Sequence, residues 1–434
     1  MGTTPSRRWA LGATGMVAAL VLTGCAGGGD TDDASELSVY IDSNPSSTAL
    51  WDAIVDAYAE VNPDVTLTVE THPAGGEGDN LIKTRLSTGD MNDMLWYNSG
   101  SLLQALNPDQ QFIDFSDEEW ADKLDPNFVK AVSTDEGLYG PPVGASFAGG
   151  ITYNKDVYAE LGLSVPTTWD EFMANAQAVT DAGLVGVIQS YGDAWTSQVP
   201  VLGDFFNVTA ADADWAEQYT AGEAKFADEP AVAGFQHLQD FQDAGLLNRD
   251  FASASYDDAV RMLAEGEGAH YPMLTQNVIE AVGANYPDAL ESIGVFPIPG
   301  PDADTNGLTV WMPNGVYVPK TTEGAKLDAV KEFLAWLVTP ESCEVQGAAT
   351  TLGGPFVVDG CDVPADAAPL VAEMQPYFDE GRTAVALEFL SAIKGPSLEQ
   401  ITVEVGSGIR PAADGAALYD QDVIKQAKQL GLDW

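Results

Sequence analysis

Six short stretches of this 434-residue chain offer small polar groups or open backbone, half of them with an aromatic ring alongside. They are Asp42-Ser43-Asn44, Tyr97-Asn98-Ser99, Tyr191 with Asp193 and Trp195, Thr275-Gln276, Trp311 with Asn314, and the Gly353-Gly354 loop. An aromatic face covers the apolar C–H face of a cyclic polyol, while amides and carboxylates exchange hydrogen bonds with its hydroxyls. None of these stretches contains Lys or Arg, so an anion would meet no counter-charge. The chemistry on offer is reversible binding of a neutral polyhydroxylated molecule.

Residue sets for bond-making chemistry are thin. The three histidines, His72, His237 and His270, are scattered, and no His-Glu-x-x-His, Cys-x-x-Cys or Gly-x-Ser-x-Gly pattern occurs. A glycosidase needs two carboxylates, but with 66 acidic residues a chance pair is certain and decides nothing. Asp302-Ala303-Asp304-Thr305-Asn306-Gly307 matches the first half of a calcium loop. Its twelfth position is Pro313 where a bidentate glutamate is required, so it reads as an acidic surface turn. No catalytic group, metal or cofactor is expected.

The elements that must carry these loops alternate between strand and helix. Leu37–Ile41 reads as a strand running into Asp42, and Ser46 or Ser47 could cap a helix with Leu50, Trp51, Ile54, Val55 and Tyr58 on one face. Val65, Leu67 and Val69 alternate as a second strand, Leu81–Leu86 is helical, and Met94–Tyr97 is a third, buried strand. Further on come helices over Asp156–Leu161 and Thr168–Ala182, a strand at Val185–Ile188, a helix from Pro230 to Gly245, one capped by Ser255, and one at Lys326–Leu337 stopped by Pro340. The class is α/β, and ligands of open α/β sheets lie beyond the carboxyl ends of the strands. The first and third strands end at the first two of the six stretches.

Arg7 and Arg8, the apolar run Ala10–Leu22 and Leu22-Thr23-Gly24-Cys25 form an export signal that ends at a lipid-accepting cysteine. Residues 1–24 are expected to be removed, and 25–36, rich in Gly, Asp, Thr and Ala, to tether the folded part to the outer face of a membrane. Ser6-Arg7-Arg8 leaves both general and twin-arginine export open, Ala10 being small for the latter. The net charge of −48 disfavours nucleic acid and anionic lipid as partners. With Cys25 lipidated, Cys343 and Cys361 are the remaining thiols, and outside the cytoplasm they are expected to pair.

Five motifs occur in order: Ser87-Thr88-Gly89-Asp90, Leu138-Tyr139-Gly140-Pro141-Pro142, Tyr153-Asn154-Lys155-Asp156, Pro166-Thr167-Thr168-Trp169-Asp170-Glu171-Phe172 and Val318-Pro319-Lys320. Together they resemble the extracellular solute-binding proteins of sugar-type ABC importers, the group that includes maltose-binding protein. Met91-Asn92-Asp93 departs from the Pro-Asp pair usual at that turn. The resemblance implies a periplasmic-binding-protein-like fold: two α/β lobes, hinge crossovers and an interlobe cleft holding the ligand. The first lobe would take 37–143 and 308–341, the second 144–307 and 342–434, with crossovers at Gly144–Phe147 and near Gly300. It further implies a lipid-anchored monomer that captures a carbohydrate, an oligosaccharide, and delivers it to an ABC permease. A polyamine-type ligand, a secreted glycan-acting enzyme and a surface adhesin are the alternatives.

Overall fold

The computed structural model describes residues 34–429, 431, 432 and 434. The expected signal segment, Cys25 and most of the expected tether lie outside the described residues. Among the described residues, no helix is long and apolar enough to cross a membrane.

The first sheet contains β1 (Glu36–Asp42), β2 (Thr66–His72), β3 (Met94–Tyr97) and β4 (Pro142–Val143). The second contains β5 (Phe147–Asn154), β6 (Val185–Val187), β7 (Gly268–Leu274), β8 (Ile293–Phe296) and β9 (Leu308–Trp311). The chain then returns to the first sheet as β10 (Asn314–Tyr317) and to the second as β11 (Thr383–Val385). The first sheet runs β2-β1-β3-β10-β4, its first three strands parallel; the second runs β11-β9-β5-β7-β6, with β8 also paired to β5. Two sheets, each covered by helices, make a two-lobed α/β protein.

Local signals behave as their chemistry demands, with informative exceptions. β3 buries all four of its residues, as a central parallel strand must. Thr168 and Ser255 cap their helices, the latter in a reciprocal capping box with Asp258. The helix after β1 spans Pro45–Val61, starting ahead of the expected serine caps because Pro45 opens its first turn; Ser47 instead donates to Asp42. Pro230 precedes rather than opens its helix, Ala233–Asp243. Pro340 both ends the helix Gly324–Leu337 and starts the next, Pro340–Ala349.

The expected return to the first lobe at 308 is displaced. Leu308–Trp311 is fully buried and pairs with β5 and β11 in the second sheet, so the crossing falls at Met312-Pro313 and not near Gly300. The break expected after Glu341 is displaced too. Helix Pro340–Ala349 packs on helix Pro45–Val61, and Asp125 and Asp359 exchange backbone hydrogen bonds with Val357 and Lys123. Cys343 and Cys361 form a disulfide within this stretch. Closing a loop of 18 residues contributes about 3 kcal/mol by the chain-entropy model.

The second sheet also buries a histidine. His270 on β7 donates from Nδ1 to Gly186 O at 2.6 Å and accepts at Nε2 from the Tyr158 hydroxyl at 2.8 Å. That desolvation lowers its pKa from 6.5 to about 4, the Gly186 hydrogen bond only partly opposing it. The unfolded chain therefore takes up a proton below pH 6.5 that the folded protein refuses, and stability falls with pH between about 6.5 and 4. We expect His270 to account for about 3 kcal/mol of the loss by pH 4. Urea unfolding of wild type and His270→Gln across that range should show a shallower slope for the variant, and parallel slopes would refute the assignment.

Candidate functional site

The carboxyl ends of β1, β2 and β3 open onto a cleft of about 1090 Å³ between the lobes. Asp42 at the end of β1 is pinned: Oδ1 accepts from Asn44 N at 2.9 Å and Oδ2 from Ser47 Oγ at 3.0 Å. His72 lies opposite Asp42 across the β1–β2 pairing; its Nδ1 is 2.7 Å from Pro73 O, and its buried Nε2 has no partner among the described residues. At the end of β3 the Tyr97 hydroxyl donates to Asp79 Oδ1 at 2.7 Å. Burial first, then the Asp79 hydrogen bond and charge, push the Tyr97 pKa well up, so the phenol stays protonated.

The facing wall is the helix Thr275–Asn285, which presents Gln276, Ile279, Glu280, Gly283 and Ala284. Between the walls lie the crossing segments, with Phe147, Met312, Pro313, Asn314 and residues 349–353. The side-chain amides of Asn44, Asn98 and Asn314 line the cleft and hydrogen-bond to no described residue. Free amides offer both donors and acceptors to an incoming ligand. Asp42, Asp79 and Glu280 supply negative charge, and no Lys or Arg is in the lining. An anionic ligand is therefore repelled, and a neutral hydroxylated one is matched.

The model of the bacterial extracellular solute-binding protein family matches residues 43–342, the stretch that holds both cleft walls and the first two crossings. The chain belongs to that family. A multiple sugar-binding protein of Streptococcus mutans is 24% identical over 332 residues, 74% of this chain and 75% of the relative. The melibiose/raffinose/stachyose-binding protein MelE of Bacillus subtilis is 20% identical over 345 residues, 77% of this chain and 78% of its own. Among solved structures, the apo form of RafE from Streptococcus pneumoniae superposes with a TM-score of 0.74 at 21% identity, covering 90% of this chain and 98% of that one. RafE in complex with raffinose gives a TM-score of 0.65 at 22% identity, covering 89% and 99%. These structural likenesses establish the two-lobed fold.

In this solute-binding protein the cleft gathers Asp42, Asn44, Tyr97, Asn98, Gln276, Asn314 and Gly353 from the residues read as ligand-binding. The others are not in its lining. Ser43 donates its backbone N–H to His72 O, and Ser99 Oγ donates to Pro313 O at 2.9 Å. Thr275 accepts from Ala148 N and donates to Gly353 O, tying the facing helix to the crossing. Gly353 leaves room for Gln276 and Phe147, whose Cβ atoms a side chain there would meet at 2.7 and 2.9 Å; Gly354 likewise lets Ser146 O approach. Tyr191 is buried against Phe251, Asp193 accepts from Tyr256 N, and Trp195 packs on the Tyr256 ring at 5.3 Å. His72, Asp79, Phe147 and Glu280 were not singled out from sequence as ligand contacts; of these only Phe147 carried a signal, at the end of the Gly144–Phe147 crossover.

Trp311 stands behind the cleft. It is 6% exposed, its indole N–H donates to Glu388 Oε1 at 2.6 Å, and one face stacks on Phe147 with centroids 5.9 Å apart. Gly149 lies so close beneath it that a Cβ there would meet the indole at 2.7 Å. Such a residue holds structure together. Trp311→Ala is expected to cost about 3–5 kcal/mol of unfolding free energy, read by urea denaturation, and a loss below about 1 kcal/mol would show that the ring is not part of the core.

Proposed function

We propose that this chain is the substrate-binding subunit of an ABC importer, holding a neutral oligosaccharide in the interlobe cleft and delivering it to a membrane permease. The observation that carries the reading is the cleft itself: three free amides, a protonated tyrosine, aromatic surface and a lining without Lys or Arg. At about 1090 Å³ it slightly exceeds the roughly 300–1,000 Å³ of drug-sized sites, as a ligand of several sugar units requires. The names of the relatives point the same way, toward raffinose, melibiose and stachyose.

In this reading Asn44, Asn98, Asn314 and Gln276 exchange hydrogen bonds with hydroxyls, Asp42 and Asp79 accept from them, and Trp96, Tyr97 and Phe147 cover the C–H faces of the rings. Bending at the crossings brings helix Thr275–Asn285 over the ligand, and the closed form is what a permease would recognise. Isothermal titration with raffinose, melibiose and stachyose should give one equivalent bound for at least one of them. Asn98→Ala and Gln276→Ala should each weaken it by about 1–3 kcal/mol with the melting temperature little changed. Binding of spermidine in place of every sugar would move the ligand to the polyamine class.

Cys25, at the end of the signal pattern, is the residue we propose to carry the lipid. Cys25→Ser should release the protein into the medium or leave it uncleaved in the membrane. Undiminished labelling by a radioactive fatty acid would refute the anchor.

A further inference from the structure

The first crossing between the lobes, within Pro142–Asn154, pairs along one edge with Leu308–Tyr317. Along its other edge, pairing with β7 begins only at Gly149, so the backbone before that point needs partners from elsewhere. Alternate N–H groups find them. Gly144 N donates to Gln346 Oε1 at 2.8 Å and Ser146 N to Pro355 O at 3.0 Å. Ala148 N donates to Thr275 Oγ1 at 3.0 Å, and that hydroxyl donates in turn to Gly353 O at 2.6 Å. Gln346, Gly353 and Pro355 all lie between Cys343 and Cys361, which the disulfide joins.

Both ends of this disulfide-closed segment are fastened to the first lobe. Helix Pro340–Ala349, which carries Cys343, packs on helix Pro45–Val61. Just before Cys361, Val357 O accepts from Asp125 N at 2.9 Å and Asp359 N donates to Lys123 O at 2.7 Å. The middle of the segment reaches the other way: residues 349–353 line the cleft, and Gly353 holds Thr275 at the start of the second-lobe wall, helix Thr275–Asn285. Its fit to the crossing is close. A Cβ on Gly354 would stand 2.7 Å from Ser146 O, and Gln346, 2% exposed, is itself fixed by donating to Ser342 Oγ at 3.0 Å.

We infer that Cys343 and Cys361 are positioning residues for ligand capture: their bond joins the two first-lobe anchors of a strap that grips the crossing at Gly144, Ser146 and Ala148. With the bond absent, the two anchors move separately and the acceptors at 346, 353 and 355 leave the crossing for part of the time. The crossing must then be ordered whenever a ligand is held, which lowers affinity with no change in the groups that touch the ligand. The effect on affinity rests on the reading of the cleft as a sugar site; the effect on the crossing does not.

Hydrogen–deuterium exchange of the purified protein, read by mass spectrometry, tests the strap without a ligand. In Cys343→Ser/Cys361→Ser the peptide covering residues 144–148 should exchange at least about tenfold faster than in wild type, while β2 and β7 keep their rates. Gln346→Leu leaves the disulfide in place and removes the acceptor for Gly144, so it should show the same local gain; it decides the matter if the double serine variant does not fold. Isothermal titration then compares the variants with wild type for raffinose, melibiose and stachyose, and any of these that binds wild type should bind each variant at least about fivefold more weakly. No gain at 144–148, a gain spread evenly over both sheets, or a local gain with undiminished sugar affinity would each overturn the proposal. Failure of wild type to bind any of the three sugars would count against the sugar reading, and the exchange result would still decide the strap.

Discussion

The segments Pro142–Asn154 and Leu308–Tyr317 run antiparallel beside one another through both sheets, and the register of that pairing changes on the way. Val143 lies opposite Asn314 in the first sheet, whereas Phe147 lies opposite Trp311 in the second, so one segment carries an extra residue across the gap. Gly144, with φ of 106°, absorbs it in a conformation that a side chain would strain. Its N–H is held by Gln346 Oε1 at 2.8 Å, and Ser146 donates twice to Pro355 O. A hinge built this way can bend while its ends stay hydrogen-bonded into two rigid sheets.

The cleft follows from that crossing. Parallel pairing of β1 with β3 delivers Asp42 and Tyr97 to a shared mouth, and β10, antiparallel against β3, carries the chain back from the second sheet at the same place. The carboxylates are then positioned before any ligand arrives: Asp42 by Asn44 and Ser47, Asp79 by Tyr97. One apolar cluster continues from the first sheet into the second, joining Val39 and Leu95 to Tyr271 and Val310. A cleft resting on a continuous core has a defined floor.

Tryptophan illustrates how little residue type alone says about role. Trp51 is fully buried against Trp96, Trp311 covers Gly149 behind Phe147, and Trp169 stacks on His237 in the second lobe. Among the described tryptophans, only Trp96 lines the cleft itself. Each ring buries a large apolar area, so packing and binding compete for the same side chain, and its neighbours decide which prevails.

Much of the framework was legible along the chain. The periodicity of Leu37–Ile41 and Met94–Tyr97, the caps at Thr168 and Ser255, and the pairing of Cys343 with Cys361 all rest on local chemistry, and each is present in the fold. Local chemistry also placed Asp42, Asn44, Tyr97 and Asn98 at strand ends, because a strand that runs into polar residues must leave its sheet there. The sheet to which Leu308–Trp311 belongs was not legible, since a buried apolar strand fits either sheet until its hydrogen-bonding partner is known. Nor were Asp79 and Glu280, which look like ordinary exposed helix carboxylates until the fold turns them toward one cleft. Sequence determines what each residue can do over a few neighbours, whereas the meeting of distant groups, and with it their burial, charge and reach, is decided by the tertiary structure.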